Sequence, residues 1–299
     1  MELLRALAVM LEPPGAATPR IAALLDLPGP PDPADHTELF VFQLPPYASL
    51  YAGAEGMLGG EARDRVAGFW RALGFTPPPE PDHLAALLGL YASLAERQAE
   101  EDDAARAALR GQARSALLRE HIACWVFAYL DRLSDIAPPH YRAWGALLAR
   151  TLAAELEACA ADGVGDDDAL PVHLREAPPF AGPDAALDEL IAALLAPVRS
   201  GFILTRADLA RAARELGLGA RVGERRVMLR ALLSQDAAAT LGWLAREAAA
   251  LAARHRAREP ELRGVARFWA ERAEAAAAVL ERCAAAAAAP RAAAGAARP

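Results

Sequence analysis

The stretch Pro77-Pro-Pro-Glu-Pro-Asp-His-Leu84 carries the densest chemistry in the sequence. Two carboxylates, Glu80 and Asp82, flank Pro81, and His83 follows at once. A carboxylate at such a point has three uses. It can cap a helix, accepting backbone N–H bonds at the positive end of the helix dipole, worth roughly 0.5–2 kcal/mol. It can contact a ligand or partner. With its imidazole neighbour it can also serve catalysis or a metal. Catalysis needs a nucleophile beside the pair, and no serine or cysteine motif accompanies it. A metal needs more ligands; Glu120-His121 is available, but adjacent residues on a helix do not face the same way. The residues favour Asp82 as a helix cap and leave the other uses open.

Two further groups have chemical potential. Tyr47 and Tyr51 follow Pro45-Pro46, with Ser49 between them. Such rings pack in a core or wall a hydrophobic groove, since tyrosine has an apolar face and a polar tip. From Arg199 to Leu233, eight arginines (199, 206, 211, 214, 221, 225, 226, 230) stand against Asp208, Glu215 and Glu224. Helix, glycine turn, helix is the outline of a DNA-reading module. Leu216 to Gly223 exceeds the ~3–4-residue turn of that module, so a solvated or internally paired face is expected. Gly217, Gly219 and Gly223 depart from dinucleotide-binding spacing, and no strand precedes them. His121 reads as a packing histidine in the helix that carries Trp125. His36, His140, His173 and His255 are isolated.

The elements that must position these groups are helices. Residues 2–11 and 20–27 read as short helices. His36 to Leu44 has a mixed pattern and no partner strand, so it reads as an irregular packed segment. A helix over 61–73 ends at Gly74. The next runs from about Pro81 to Arg97, with Leu84, Leu87, Leu88, Tyr91 and Leu94 on one face. Glu96 to Asp103 reads as a solvated turn. One amphipathic helix spans 105–133. Another starts at Pro138-Pro139 and reaches about Ala161, proline being harmless in a first turn. Residues 162–183 form a linker rich in Gly, Asp and Pro. Helices follow over 184–196, 205–216, 223–234, 236–258 and 260–289, with Thr205 and Asp208 spaced as a capping box. Residues 290–299 read as a disordered tail. The expectation is an all-α bundle of about ten helices, divided as 1–161, linker 162–183, 184–289 and tail.

Composition sets the outer bounds. The 299 residues are 54% hydrophobic and only 6% aromatic, so leucine and alanine carry a core that a disordered chain would lack. Lysine and asparagine are absent. The net charge of −7 disfavours nucleic acid and anionic membrane, and suits a basic partner. Cys124, Cys159 and Cys283 lie far apart, without CxxC spacing, which fits a reducing cytoplasm. Neither a secretory signal nor a run of ~18 apolar residues is present, so the expected location is the cytosol.

In order, Leu39-Phe40, Pro46-Tyr47-Ala-Ser-Leu-Tyr51, Gly74, Glu80-Pro81-Asp82-His83-Leu84, Glu120-His121 and Trp125 resemble the TorD/DmsD family of redox-enzyme maturation chaperones. Nitrate reductase assembly proteins are more distant relatives. The resemblance covers roughly residues 34–160. It implies an all-α chaperone, not an enzyme, that binds the twin-arginine signal peptide of a molybdopterin-containing oxidoreductase, or its apoenzyme, before cofactor insertion and export. By position it carries peptide binding to Tyr47, Ser49, Tyr51, Pro81, Asp82 and His83. Glu80, Leu84, Leu87, Tyr91, His121 and Trp125 complete the candidate set, because two cations followed by an apolar stretch want carboxylates beside an apolar groove.

Two features depart from the family pattern. Tyr47 stands where many relatives have tryptophan. The chain is also longer, and Pro197-Val-Arg-Ser-Gly201 and Gly223-Glu-Arg-Arg226 resemble the C-terminal half of long, actinobacterial-type TorD-like proteins. Weak guanine-nucleotide binding is a family property, but no phosphate loop is present, so no cofactor and no metal are expected. The chaperone is expected as a monomer or homodimer without nucleic acid or a membrane span. The alternatives are a DNA-binding regulator using the basic region and a metal-dependent enzyme using Asp82, His83 and His121.

Overall fold

The computed structural model describes residues 1–161 and 169–289. It is all-α: among the described residues no strand forms, and helices follow one another throughout. The helices outnumber the ten expected, mainly because several connecting stretches form short helices of four or five residues. The predicted tail, and the part of the predicted linker from 162 to 168, lie outside the described residues.

Helices α1 (Glu2–Val9), α2 (Thr18–Leu24) and α3 (Pro33–His36) open the chain. A π-helical turn, Thr37–Gln43, continues α3. This segment was expected to be irregular; it is helical instead, with Leu39 and Phe40 turned into the core. Then come α4 (Ala48–Ala52), α5 (Gly60–Ala72) and α6 (Leu84–Ala99). Gly74 takes a φ of 79° just past α5, the left-handed stop its position implied. Glu96 belongs to α6 rather than to a solvated turn, and pairs with Arg5 of α1.

The helix expected over 105–133 is continuous but not uniform. It comprises α7 (Ala104–Ala116), a second π-helical turn (Leu117–Ala123) and α8 (Cys124–Ile136). A π turn adds a residue to the helical cycle and so rephases the buried face. Here it leaves the His121 carbonyl to accept the Trp125 indole N–H at 2.9 Å. Helix α9 (Pro139–Ala161) sends the Trp144 indole N–H to the Leu7 carbonyl at 3.0 Å. Both tryptophans are therefore buried without an orphan donor.

The remaining helices are α10 (Val172–Arg175), α11 (Leu187–Leu195), α12 (Pro197–Ser200), α13 (Arg206–Leu216), α14 (Arg225–Gln235), α15 (Ala237–Ala257) and α16 (Glu259–Ala288). Thr205 and Asp208 form the anticipated capping box at α13. Helix α16 is kinked at Arg263, where φ is 47°.

Two apolar clusters form the interior. The first gathers α1, α6, α8 and α9 around Trp125, Trp144 and Tyr129. The second lies among α11, α13, α14 and α15 around Trp243 and Leu244. Helix α16 belongs to both: Leu262 and Trp269 enter the first, Ala276 and Leu280 the second. Polar ties add to this contact. Trp269 donates its indole N–H to the Cys124 carbonyl at 2.9 Å, and Gln43 accepts the Ala207 N–H at 3.0 Å. Arg258 pairs with Asp131 at 2.6 Å, and Arg132 pairs with Asp208 out of solvent. The C-terminal helices thus pack directly on the N-terminal ones.

Candidate functional site

Three prolines, Pro77 to Pro79, keep the chain extended after α5, and it then turns at Glu80 to enter α6. The helix cap is not the residue expected. His83 holds the N-cap, and its Nδ1 accepts the Ala85 N–H at 3.2 Å. Burial lowers the His83 pKa, which keeps the ring neutral and Nδ1 free to accept.

Asp82 caps a different helix. Helix α4 starts at Tyr47, which offers no side-chain cap, so its first amides need outside acceptors. The Asp82 carboxylate accepts the Ser49 N–H at 3.1 Å, and the Asp82 carbonyl accepts the Ala48 N–H at 3.0 Å. In return the Pro46 carbonyl accepts the Leu84 N–H at 2.8 Å. Tyr47 and His83 thereby form an antiparallel bridge between two segments that both lead into helices. Asp82 is only 2% exposed.

Helix α5 fixes the other side of this junction. Trp70 donates its indole N–H to the Pro81 carbonyl at 3.3 Å, and Arg63 reaches the Pro79 carbonyl at 3.0 Å. Neither residue was among the candidates. Nothing in the spacing of Trp70 marks it as a carbonyl anchor.

The twelve candidate residues divide by accessibility. Tyr47, Glu80 and His83 reach the surface. The Tyr47 hydroxyl donates to Glu80 at 2.8 Å, and its ring meets the His83 ring edge-on at 4.8 Å. Burial and the neighbouring Glu80 hold the Tyr47 hydroxyl well above the usual phenol value, so it stays a donor. The other nine are buried. Tyr51 stacks on Trp125 with centroids 5.2 Å apart, and its hydroxyl donates to the Pro45 carbonyl. Ser49 and Pro81 lie within the junction. Leu84, Leu87 and Tyr91 point into the core, where Tyr91 bonds Glu155 at 2.7 Å. His121 packs on Phe69, and burial pushes its pKa down to about 4. The apolar face read as a groove wall is therefore core. Of the nine, Ser49, Pro81 and Asp82 bond within the junction that carries Tyr47, Glu80 and His83.

Cys124, near His121, has its thiol pushed up to about 12 by burial, which removes it as a nucleophile. Among the described residues no three His, Cys, Asp or Glu side chains could hold a metal ion, so Asp82, His83 and His121 do not make a metal site. The basic region is largely used internally. Arg211 pairs with Glu247 and Arg230 with Asp188. Arg225 donates to the Leu204 carbonyl, Arg199 to the Pro179 carbonyl, and Arg206 stacks over Phe42.

The whole candidate set, from Tyr47 to Trp125, lies in one stretch with a family signature. Residues 33–131 match the nitrate reductase delta subunit family. The match agrees with the TorD-like resemblance and supports a redox-enzyme maturation chaperone. Helices α9 to α16 lie outside the matched stretch of this delta subunit domain. Neither curated proteins nor solved structures gave a match. Among the described residues no helix is long and apolar enough to cross a membrane.

Proposed function

We propose that the chain is a cytoplasmic chaperone that binds the catalytic subunit of a molybdopterin-containing oxidoreductase, through its twin-arginine leader or apoenzyme, before cofactor insertion and export. The observation that carries this reading is the Tyr47–Glu80–His83 edge, with Glu80 exposed and both rings half-buried, on a junction fixed by Asp82, Ser49 and Trp70. Glu80 presents a carboxylate to an arginine, and charge-assisted pairs of that kind are the strong ones. The Tyr47 ring beside it offers an apolar face to the next residues of a leader. Ser49, Pro81 and Asp82 act by holding this edge rigid, which lowers the ordering cost of binding. The chaperone works as a monomer or homodimer without a resident cofactor or metal, and carries out no catalysis.

Isothermal titration of the purified chain with twin-arginine leader peptides tests this. The expected result is saturable binding that weakens when both leader arginines become alanine. A folded chain that binds no leader encoded near its own gene, nor the corresponding apoenzyme, would sink the proposal.

A further inference from the structure

Beside the aromatic segment lies a cleft of about 870 Å³ that the proposed leader-binding edge does not use. It is lined by the glycine-rich loop between α4 and α5, by the start of α5, and by α10 with the residues after it. Met57 and Leu58 on the loop and Val172 on α10 line it, and they are 64%, 60% and 54% exposed. One exposed apolar side chain is ordinary; three around one cleft mark a surface that another molecule covers.

The loop is held in place. The Gly59 N–H donates to the Ser49 hydroxyl at 3.2 Å. Gly56, at φ 60°, lies so close to α11 that an added Cβ would sit 2.5 Å from the Leu195 carbonyl oxygen. Met57 and Leu58 are therefore presented on a turn pinned at both ends, and binding there does not have to order the loop first.

The charge in the cleft defines what covers it. Glu55, Glu61, Asp64, Glu120 and Glu176 line it, against Arg65. Asp64 makes only an exposed 3.4 Å contact with Arg63. Among the described residues no ion pair engages Glu55, Glu61, Glu120 or Glu176. Acids elsewhere in the chain do find cations, as in Arg5–Glu96, Arg258–Asp131 and Arg211–Glu247. A concentration of unpaired carboxylates rejects phosphate backbones and anionic lipid surfaces, and attracts cations. A bare metal ion would need converging ligands, and none converge among the described residues. Apolar walls with this charge fit a peptide that carries both kinds of side chain.

We propose that this cleft docks a short segment of a partner polypeptide in which arginines or lysines are interspersed with apolar residues. Its cations meet Glu61, Asp64 and Glu176, and its apolar side chains cover Met57, Leu58 and Val172. The surface is separate from the Tyr47–Glu80–His83 edge. Ser49 links the two, since its N–H meets Asp82 and its hydroxyl holds Gly59. Val172 and Glu176 lie outside residues 33–131, so the delta subunit domain alone does not complete the cleft.

The test is fluorescence anisotropy on the full chain with a labelled short peptide in which arginines alternate with leucines. A counterpart has glutamate in place of each arginine. The arginine peptide should bind saturably and lose affinity as salt rises, while the glutamate peptide stays free. Glu61→Gln combined with Glu176→Gln should weaken binding roughly tenfold, as loss of complementary charges at an interface does. Leu58→Ser should also weaken it. Glu281→Gln, a charge change on α16 outside the cleft, should not. All variants should melt as the parent does. Equal binding by the glutamate peptide, or by the Glu61→Gln/Glu176→Gln variant, overturns the proposal. So does concentration-dependent self-association that Leu58→Ser abolishes, which would give the cleft to a second copy. Leader binding at the Tyr47 edge is a separate measurement, so either surface can fail alone.

Discussion

The Asp82 carboxylate accepts the Ser49 backbone N–H at 3.1 Å, across a sequence separation of 33 residues. It caps α4 from outside, while His83, its neighbour, caps the helix that both residues lead into. The acid at the knuckle therefore joins two segments of the chain, and the exposed edge formed by Tyr47, Glu80 and His83 depends on that join.

Asp82→Ala should leave the Ser49 amide buried without its acceptor. Stranding a buried donor costs about 1–3 kcal/mol, which urea unfolding will read as a lower midpoint at unchanged slope. Asp82→Asn keeps an acceptor oxygen and should lose less. Equal losses in the two variants would show that charge, rather than the hydrogen bond, is what α4 requires.

Tyr47→Phe removes the hydroxyl that donates to Glu80 and keeps the ring against His83. The bond lies at the surface, so stability should change by less than about 1 kcal/mol. Leader binding should weaken roughly threefold, because Glu80 loses the group that orients it. Calorimetric titration beside a melting curve separates the two effects. Unchanged leader affinity would remove Tyr47 from the site.

Arg132→Met should destabilise the chain by about 1–3 kcal/mol, since buried Asp208 loses its closest cation while Arg211 and Thr205 still bond it. The joint replacement of Arg132 and Asp208 by apolar residues should cost more, because the capping box of α13 and the Arg211 contact go with Asp208. Burial by itself would raise the Asp208 pKa; Arg132 and Thr205 outweigh it and hold the carboxyl below its ordinary value. A depressed acid contributes stability above its unfolded pKa and loses it as pH falls through the folded one. The parent should therefore weaken at acid pH through this pair, and the joint variant should show a shallower acid limb in chemical denaturation.

His121 gives a second acid response in a different window. Burial, then Arg65, lowers its pKa from 6.5 to about 4. Between those values the unfolded chain binds a proton that the folded chain excludes, so stability falls as pH drops through the window. The full effect is on the order of 3 kcal/mol. His121→Leu should flatten unfolding free energy between about pH 6 and pH 4. A slope identical to the parent's would mean that the ring is solvated.

Gly56→Ala should destabilise by more than about 1 kcal/mol, because φ is 60° and the new methyl meets the Leu195 carbonyl. Differential scanning calorimetry checks this. A neutral result would show that the loop moves freely against α11.

Much of the helical framework was legible from local pattern alone. Leu84, Leu87 and Tyr91 announced one apolar face, Gly74 a left-handed stop, and Thr205 with Asp208 a cap, because each signal is complete within a few residues. The knuckle and the aromatic segment carried the resemblance, and both lie within residues 33–131, which match the delta subunit family. Tertiary structure decided what those elements face. Periodicity shows that Leu84 and Tyr91 share a side of α6, but not that the first apolar cluster covers it. A free amide at the start of α4 shows that a cap is needed, but only the folded path brings Asp82 within 3.1 Å of it. The Arg132–Asp208 and Arg258–Asp131 pairs, and the cleft whose lining reaches from Met57 to Val172, likewise join residues far apart in sequence. Backbone propensity and side-chain period act over one or two turns, whereas capping in trans, charge pairing and exposure depend on which distant surfaces meet.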